Sequence, residues 1–221
     1  MNNQKMRLLS LVLAAAVLGS VTAFADGEPA APETTETTEI ASRETEGSWS
    51  GNTYTDNQGI VYELNDDGQT VTLTNGRSAT GAITIPDAIE KDGTSYPVDS
   101  IGNHAFGVCT ALVSVTFSGD VDSIGRYAFG FCDALENVTF SGDVGSIGDY
   151  AFYSCDALVS VTFSGDVDSI GRYVFDFCDA LESVTFSGDV GSIGDSAFFG
   201  CDVLTTIYVP ASMPEETVQI I

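Results

Sequence analysis

Apolar and polar positions along this chain recur with a step of 23 residues from Ser100 to about Pro210. The stretch Ser123 to Phe140, SIGRYAFGFCDALENVTF, states the unit in full. Ile101, Ile124, Ile147, Ile170 and Ile193 keep the step, and each is followed by Gly. Phe106, Phe129, Phe152, Phe175 and Phe198 keep it as well, as do Cys109, Cys132, Cys155, Cys178 and Cys201, and the leucines at 112, 135, 158, 181 and 204. A fixed period in the twenties is the mark of a solenoid, in which each repeat forms one coil and touches only its neighbours.

The pattern inside one coil predicts its elements. Leu112, Val115 and Phe117 alternate with Ser114, Thr116 and Ser118, as in a short strand with one apolar face. Val121 and Ile124 turn inward again after a Ser-Gly-Asp turn, where Gly119 is expected to relax the backbone. Ala128, Phe129 and Cys132 fall at i, i+1 and i+4, which predicts a single helical turn. One coil alone leaves its strand unpaired and its side chains wet. Stacking the next coil about 4.8 Å away pairs the strands and lays Ile on Ile, Phe on Phe and Leu on Leu. Each Phe, Ile or Leu buried in this way contributes roughly 1.5 to 3 kcal/mol.

The pattern I-G-x-x-A-F-x-x-C-x-x-L-x-x-V-x-F resembles the BspA-like leucine-rich repeats of bacterial secreted and surface proteins, over about Gly59 to Pro210. Strands of that family often end in Ile-Pro. Here Ile85-Pro86 and Val209-Pro210 keep the Pro, whereas Phe117-Ser118 and its copies do not. The resemblance implies a right-handed leucine-rich-repeat solenoid, strand-rich with short helical turns, of about five 23-residue coils behind a β-rich N-terminal cap. It further implies a non-enzymatic role: extracellular binding or adhesion, directed at a protein or glycan of a host or neighbouring cell. A structural spacer or surface-layer component without a specific ligand is the alternative.

Around the repeats the texture changes. Residues 1–25 read as a signal peptide: Lys5 and Arg7, then the apolar stretch Leu8 to Leu18, then Ala23-Phe24-Ala25 as a cleavage site. Residues 26–50 are rich in Thr, Glu and Pro and form an expected acidic linker. Residues 51–99 form the expected cap, with strands at Ile60–Leu64, Thr70–Leu73 and Ala82–Ile85, on which Trp49 and Tyr54 are expected to pack. Ile85 lies 16 residues before Ile101, whereas Phe117 lies 7 before Ile124. The surplus around Glu90-Lys91-Asp92-Gly93 predicts a hairpin inserted in the first coil. The leucine-rich repeats occupy 100–210, and 211–221 form a C-terminal tail.

A second period of 46 residues overlies the first: Phe117–Phe140 and Phe163–Phe186 differ only at Ala128/Val174, Gly130/Asp176 and Asn137/Ser183. Arg126, Asp149, Arg172 and Asp195 therefore share one column in alternating sign, which predicts ion pairs between coils. Charge narrows the partners. All 32 acidic residues but only 5 of the 7 Lys and Arg lie beyond residue 25, a net charge of −27 for that part. Nucleic acid needs a surplus of the opposite sign, and anionic membrane surfaces are disfavoured on the same ground. No nucleic acid and no membrane insertion after removal of the leader are expected.

Candidate chemistry is sparse. The five Cys lie no closer than 23 residues, unlike the close pairs of a zinc site, and an odd count in equivalent slots suits free buried thiols. His104 aligns with Tyr127, Tyr150 and Tyr173, so it fills a ring position rather than acting as a base for Cys109. Asp120, Asp143, Asp166 and Asp189 form one acidic column, and Asp133, Asp156, Asp179 and Asp202 another. Asp120 to Gly125 echoes the start of an EF-hand loop, but Ile124 stands where a ligand belongs, so these Asp are expected to cap turns through their own backbone. No catalytic residue, metal site or cofactor follows. The candidate ligand-binding face is the outward side of the strands: Ser114, Thr116, Asn137, Thr139, Ser160, Thr162, Ser183, Thr185, Thr206 and Tyr208.

Overall fold

A computed structural model describes residues 47–210. The expected signal peptide, the tail and the linker up to residue 46 lie outside the described residues. Residues 47–50, expected as linker, are already strand β1 (Gly47–Ser50), which pairs antiparallel with β2 (Thr53–Asp56). Then come β3 (Val61–Leu64), β4 (Val71–Asn75), β5 (Gly81–Ile85), β6 (Ala88–Lys91) and β7 (Thr94–Ile101). The repeats supply β8 (Leu112–Phe117), β9 (Val121–Ile124), β10 (Asn137–Phe140), β11 (Val144–Ile147), β12 (Ser160–Phe163), β13 (Val167–Ile170), β14 (Ser183–Phe186), β15 (Val190–Ile193) and β16 (Thr206–Tyr208).

Two sheets run the length of the stack. One has the order β5-β8-β10-β12-β14-β16, wholly parallel; the other runs β1-β2-β3-β4-β7-β9-β11-β13-β15, antiparallel through β4 and parallel beyond. Register is strict: Phe117, Phe140, Phe163 and Phe186 pair in turn, as do Ile101, Ile124, Ile147, Ile170 and Ile193. The six strands of the β5–β16 sheet make six rungs, one more than the five coils expected. The extra rung is β4 with β5, whose Leu73 and Ile85 lie beside Ile101 and Phe117. It escapes the 23-residue spacing because a hairpin interrupts it: β6 pairs with the first half of β7 around Asp92 and Gly93, both at positive φ, as a tight two-residue turn requires.

The arc from Gly125 to Leu135 is not the helical turn expected, and among the described residues there is no helix. Its N–H groups divide between two directions. Phe129 and Phe131 donate to Ala151 and Tyr153 of the next rung at 2.8 Å, while Gly130 and Cys132 donate back within the turn to Tyr127 and Phe129. A helix turns every N–H along its own axis, which would leave the stacking direction without a backbone ladder. Dividing the donors requires left-handed backbone at two positions per arc. Tyr127 and Phe131 carry φ of 52° and 61°, and their equivalents in other rungs do the same. Gly119, by contrast, has no positive φ; a Cβ there would approach the Asp87 Cβ to 2.8 Å. The glycine provides room between rungs, not rotational freedom.

The interior is a set of columns. Phe106, Phe129, Phe152, Phe175 and Phe198 stack with centroids 4.8 to 5.3 Å apart, and Phe117, Phe140, Phe163 and Phe186 with centroids 4.8 to 5.1 Å apart. The two columns meet edge to face at Phe117 and Phe129. All five thiols are free, as expected. Each of four donates to a phenylalanine carbonyl of the preceding rung, as Cys155 Sγ does to Phe129 O at 3.1 Å. Burial pushes the Cys155 thiol well up and Cys201 up to about 12, so both stay protonated and able to donate.

The cap closes the first rung. Trp49 packs against Tyr54 and Tyr96, its Nε1 donates to Glu90 O at 2.8 Å, and the Lys91 ammonium lies over its ring.

Candidate functional site

The outward strand positions form two continuous ladders. Ser114, Asn137, Ser160, Ser183 and Thr206 pair in one, and Thr116, Thr139, Thr162, Thr185 and Tyr208 in the other. Ser160 Oγ donates to Asn137 Oδ1 at 2.8 Å, so part of this face satisfies itself. Apart from Tyr208 it offers only small polar side chains, most of them half-buried. It lacks the ring or guanidinium anchors that carry most binding energy.

The opposite sheet carries an open acidic groove lined by Asp120, Asp122, Asp143, Asp166 and Asp168. Asp120, Asp143 and Asp166 bond across rungs where capping of their own turns was expected: each accepts the backbone N–H of the aspartate one rung on, at 2.8 to 2.9 Å. The column ties rungs together, because the next N–H lies one strand spacing away and the intervening glycine admits the carboxylate. Among the described residues no group of three or more His, Cys, Asp or Glu is placed to share a metal ion. The alternating Arg and Asp column pairs only in part. Arg172 lies 3.7 Å from Asp195, but the Arg126 guanidinium lies over the Tyr127 and Tyr150 rings instead of meeting Asp149.

The arcs carry the surface that the sequence pattern did not reveal. His104, Tyr127, Tyr150 and Tyr173 stack face to face at 5.0 to 5.3 Å, in the shared column expected for them. Beside them runs a second row of rings. Phe131, Tyr153, Phe177 and Phe199 meet edge to face in sequence, with centroids 5.2, 5.9 and 6.1 Å apart. Phe131, Phe177 and Phe199 are 46%, 44% and 58% exposed. The row zigzags because Phe131 and Phe177 occupy one slot of the arc and Tyr153 and Phe199 the slot before it. The left-handed backbone at 131 and 177 turns those side chains away from the core columns. Phe177 touches Phe199 and Phe131 reaches Phe177 through Tyr153, so the exposed rings form one contiguous apolar row rather than scattered single residues.

Within this row sits Asp176, in the same slot as Tyr153 and Phe199. It is only 6% exposed, and its Oδ1 is the one buried side-chain nitrogen or oxygen among the described residues with no hydrogen-bond partner. Burial lifts its carboxyl above the usual range, against the Phe177 N–H, which lowers it. Asp156 in the neighbouring acidic column is lifted by burial and then by Asp133 and Asp179.

Parallel sheets, in-register aliphatic and aromatic columns and a hydrogen-bonded arc in each rung define a leucine-rich-repeat solenoid. The chain belongs to the family described as BspA type leucine rich repeat region, which matches residues 99–216 in six copies. It is similar to the leucine rich repeat protein of T. pallidum, at 30% identity over 68% of this chain and 69% of that one, with a TM-score of 0.57. A leucine-rich repeat protein from Bacteroides ovatus shares 28% identity over 70% of this chain and 40% of its own, with a TM-score of 0.54. No curated protein is similar in sequence.

Proposed function

We propose that this chain is a non-catalytic recognition module, exported and held at or released from the surface of a bacterial cell, that binds a protein or glycan outside it. Family membership supports the scaffold role, and the leader-like first 25 residues support export. One observation carries the reading further. The rung interior is nearly invariant, while ring and charge differences collect in one slot of the arc, Gly130, Tyr153, Asp176 and Phe199 in successive rungs, beside the exposed rings of Phe131 and Phe177. A scaffold held constant beneath a varied, ring-bearing surface suits binding. The test is an array of extracellular-matrix proteins, cell-surface proteins and glycans probed with the purified chain. Selective, saturable capture is the expected result; binding to none of them overturns the reading.

The plainness of the hydroxyl ladders favours a second reading, a spacer or surface-layer component. It predicts that bulky charged substitutions at Thr116 and Thr139 leave every phenotype intact.

A further inference from the structure

We propose that the arc edge around Asp176 is a docking site for a cationic side chain, presented by an Arg- or Lys-rich segment of a partner protein. The inference deepens the recognition reading and rests on it.

Three observations converge there. First, Phe177 touches both Tyr153 and Phe199, the rings in the rungs before and after Asp176 in its own slot. The carboxylate is thus bracketed by three aromatic side chains, two of them exposed phenylalanines. Second, its Oδ1 is buried and without a partner. A buried carboxylate oxygen without a partner costs free energy, which an incoming cation would relieve. Third, the tyrosine column alongside already accepts a cation: Arg126 lies over Tyr127 and Tyr150 at 5.2 and 5.4 Å. Among the described residues no cation lies over Phe131, Tyr153, Phe177 or Phe199.

Rings around an anion are the environment that a guanidinium or ammonium prefers, with the faces attracting it by their quadrupole and the carboxylate by its charge. The surroundings select the same sign. Exposed Asp133, Asp156, Asp179 and Asp202 form a column flanking the row, and the described residues are strongly acidic overall. An acidic surface speeds encounter with a basic partner and repels acidic glycans and nucleic acid. The row spans four rungs, about 14 Å at the strand spacing, enough for an extended segment of about four or five residues. One cation then anchors at Asp176 while neighbouring apolar groups cover Phe131 and Phe199.

The experiment titrates the purified chain with fluorescein-labelled octa-arginine and octa-lysine peptides in about 0.15 M salt, where charges more than about 8 Å apart are largely screened. Asp176→Asn and Phe177→Ser are compared with Asp168→Asn, which removes an equal charge from the acidic groove on the other sheet. Phe177→Ser copies the residue that the chain itself carries at 154, and far-ultraviolet circular dichroism checks that each variant is folded. Expected is a loss of about tenfold or more in peptide affinity for both strip variants and less than about twofold for Asp168→Asn. Equal losses for Asp176→Asn and Asp168→Asn would mean diffuse charge attraction and overturn the proposal. So would chitin or other neutral oligosaccharides binding the strip with Asp176→Asn unaffected, since the occupant would then be a sugar. Array capture that persists in the strip variants sinks this site while leaving the recognition reading in place.

Discussion

The rings of Phe129 and Phe152 lie face to face, 5.0 Å between centroids and 5° from parallel. Each is completely buried, and each repeats the contact with the rung beyond. Cohesion in this molecule passes from rung to rung through such pairs, because nothing within one rung encloses its own phenylalanine.

Truncating a middle member removes two stacking contacts and leaves a void that a rigid ladder cannot close. Phe152→Ala is expected to lower the unfolding free energy by about 3 to 5 kcal/mol in urea titrations. Phe198→Ala, at a half-buried terminal position with one stacking partner, costs clearly less. Equal costs would show that the stack is not the source of cohesion.

Ser154 holds a left-handed backbone at φ 51°, while the same slot two rungs later is Gly200 at φ 73°. Removing the Cβ relieves the steric penalty, offset in part by the added freedom of the unfolded chain. Ser154→Gly is expected to raise stability by roughly 0.5 to 1 kcal/mol, seen as a higher urea midpoint at an unchanged slope. A drop in the midpoint contradicts the account of the arc.

Gly171 answers a different demand. A Cβ there would lie 2.8 Å from both Ile147 O and Asp149 Oδ1, and the latter already accepts the Arg172 N–H. Gly171→Ala is therefore expected to destabilise by about 1 to 3 kcal/mol although φ permits it. A neutral effect in thermal melts would show that the rungs separate freely.

Buried, hydrogen-bonded thiols should be inert. In the folded chain iodoacetamide is expected to leave Cys132, Cys155 and Cys178 untouched for hours, with Cys201 of the last rung modified first because it alone is half-buried. All five react on addition of denaturant. Rapid labelling of Cys155 under native conditions, read by mass spectrometry, contradicts the ladder.

Asp176 and Asp156 are both held above the ordinary carboxylate range. A group whose pKa is raised on folding binds its proton more tightly in the folded state, so its contribution is fully present below the unfolded value and is lost as pH rises through the folded one. Asp176→Asn removes that loss at the more buried site. The variant is expected to melt higher than the parent at neutral pH, with the gap closing as pH falls toward about 4. A gap that does not change with pH would place the effect outside the titration of this carboxyl.

Much of this was legible in the residues. The 23-residue recurrence of Ile, Phe, Cys and Leu carries the stack, its register and the columns, because identical side chains one strand spacing apart leave little choice of neighbour. The arc was misread because Ala128, Phe129 and Cys132 satisfy helical spacing, while the demand for a ladder along the stack is made by the neighbouring rung and not by those residues. The sixth rung was hidden by the hairpin at Asp92 and Gly93, which breaks the count. The ring row lay outside the anchors: Phe131 and Tyr153 occupy different slots, so no column signals them. They adjoin because left-handed backbone at Phe131 turns its ring to the edge where Tyr153 lies. A search for aromatic residues within the F-x-x-C interval would have found them.

The doubled period has a consequence for growth. Duplication by pairs of rungs copies interior and edge together, so each added pair lengthens the footprint by about 10 Å and brings another phenylalanine like Phe131 or Phe177 without asking the inside to adapt. In such a molecule the number of exposed rings is set by copy number, and the length of the edge can change by recombination alone.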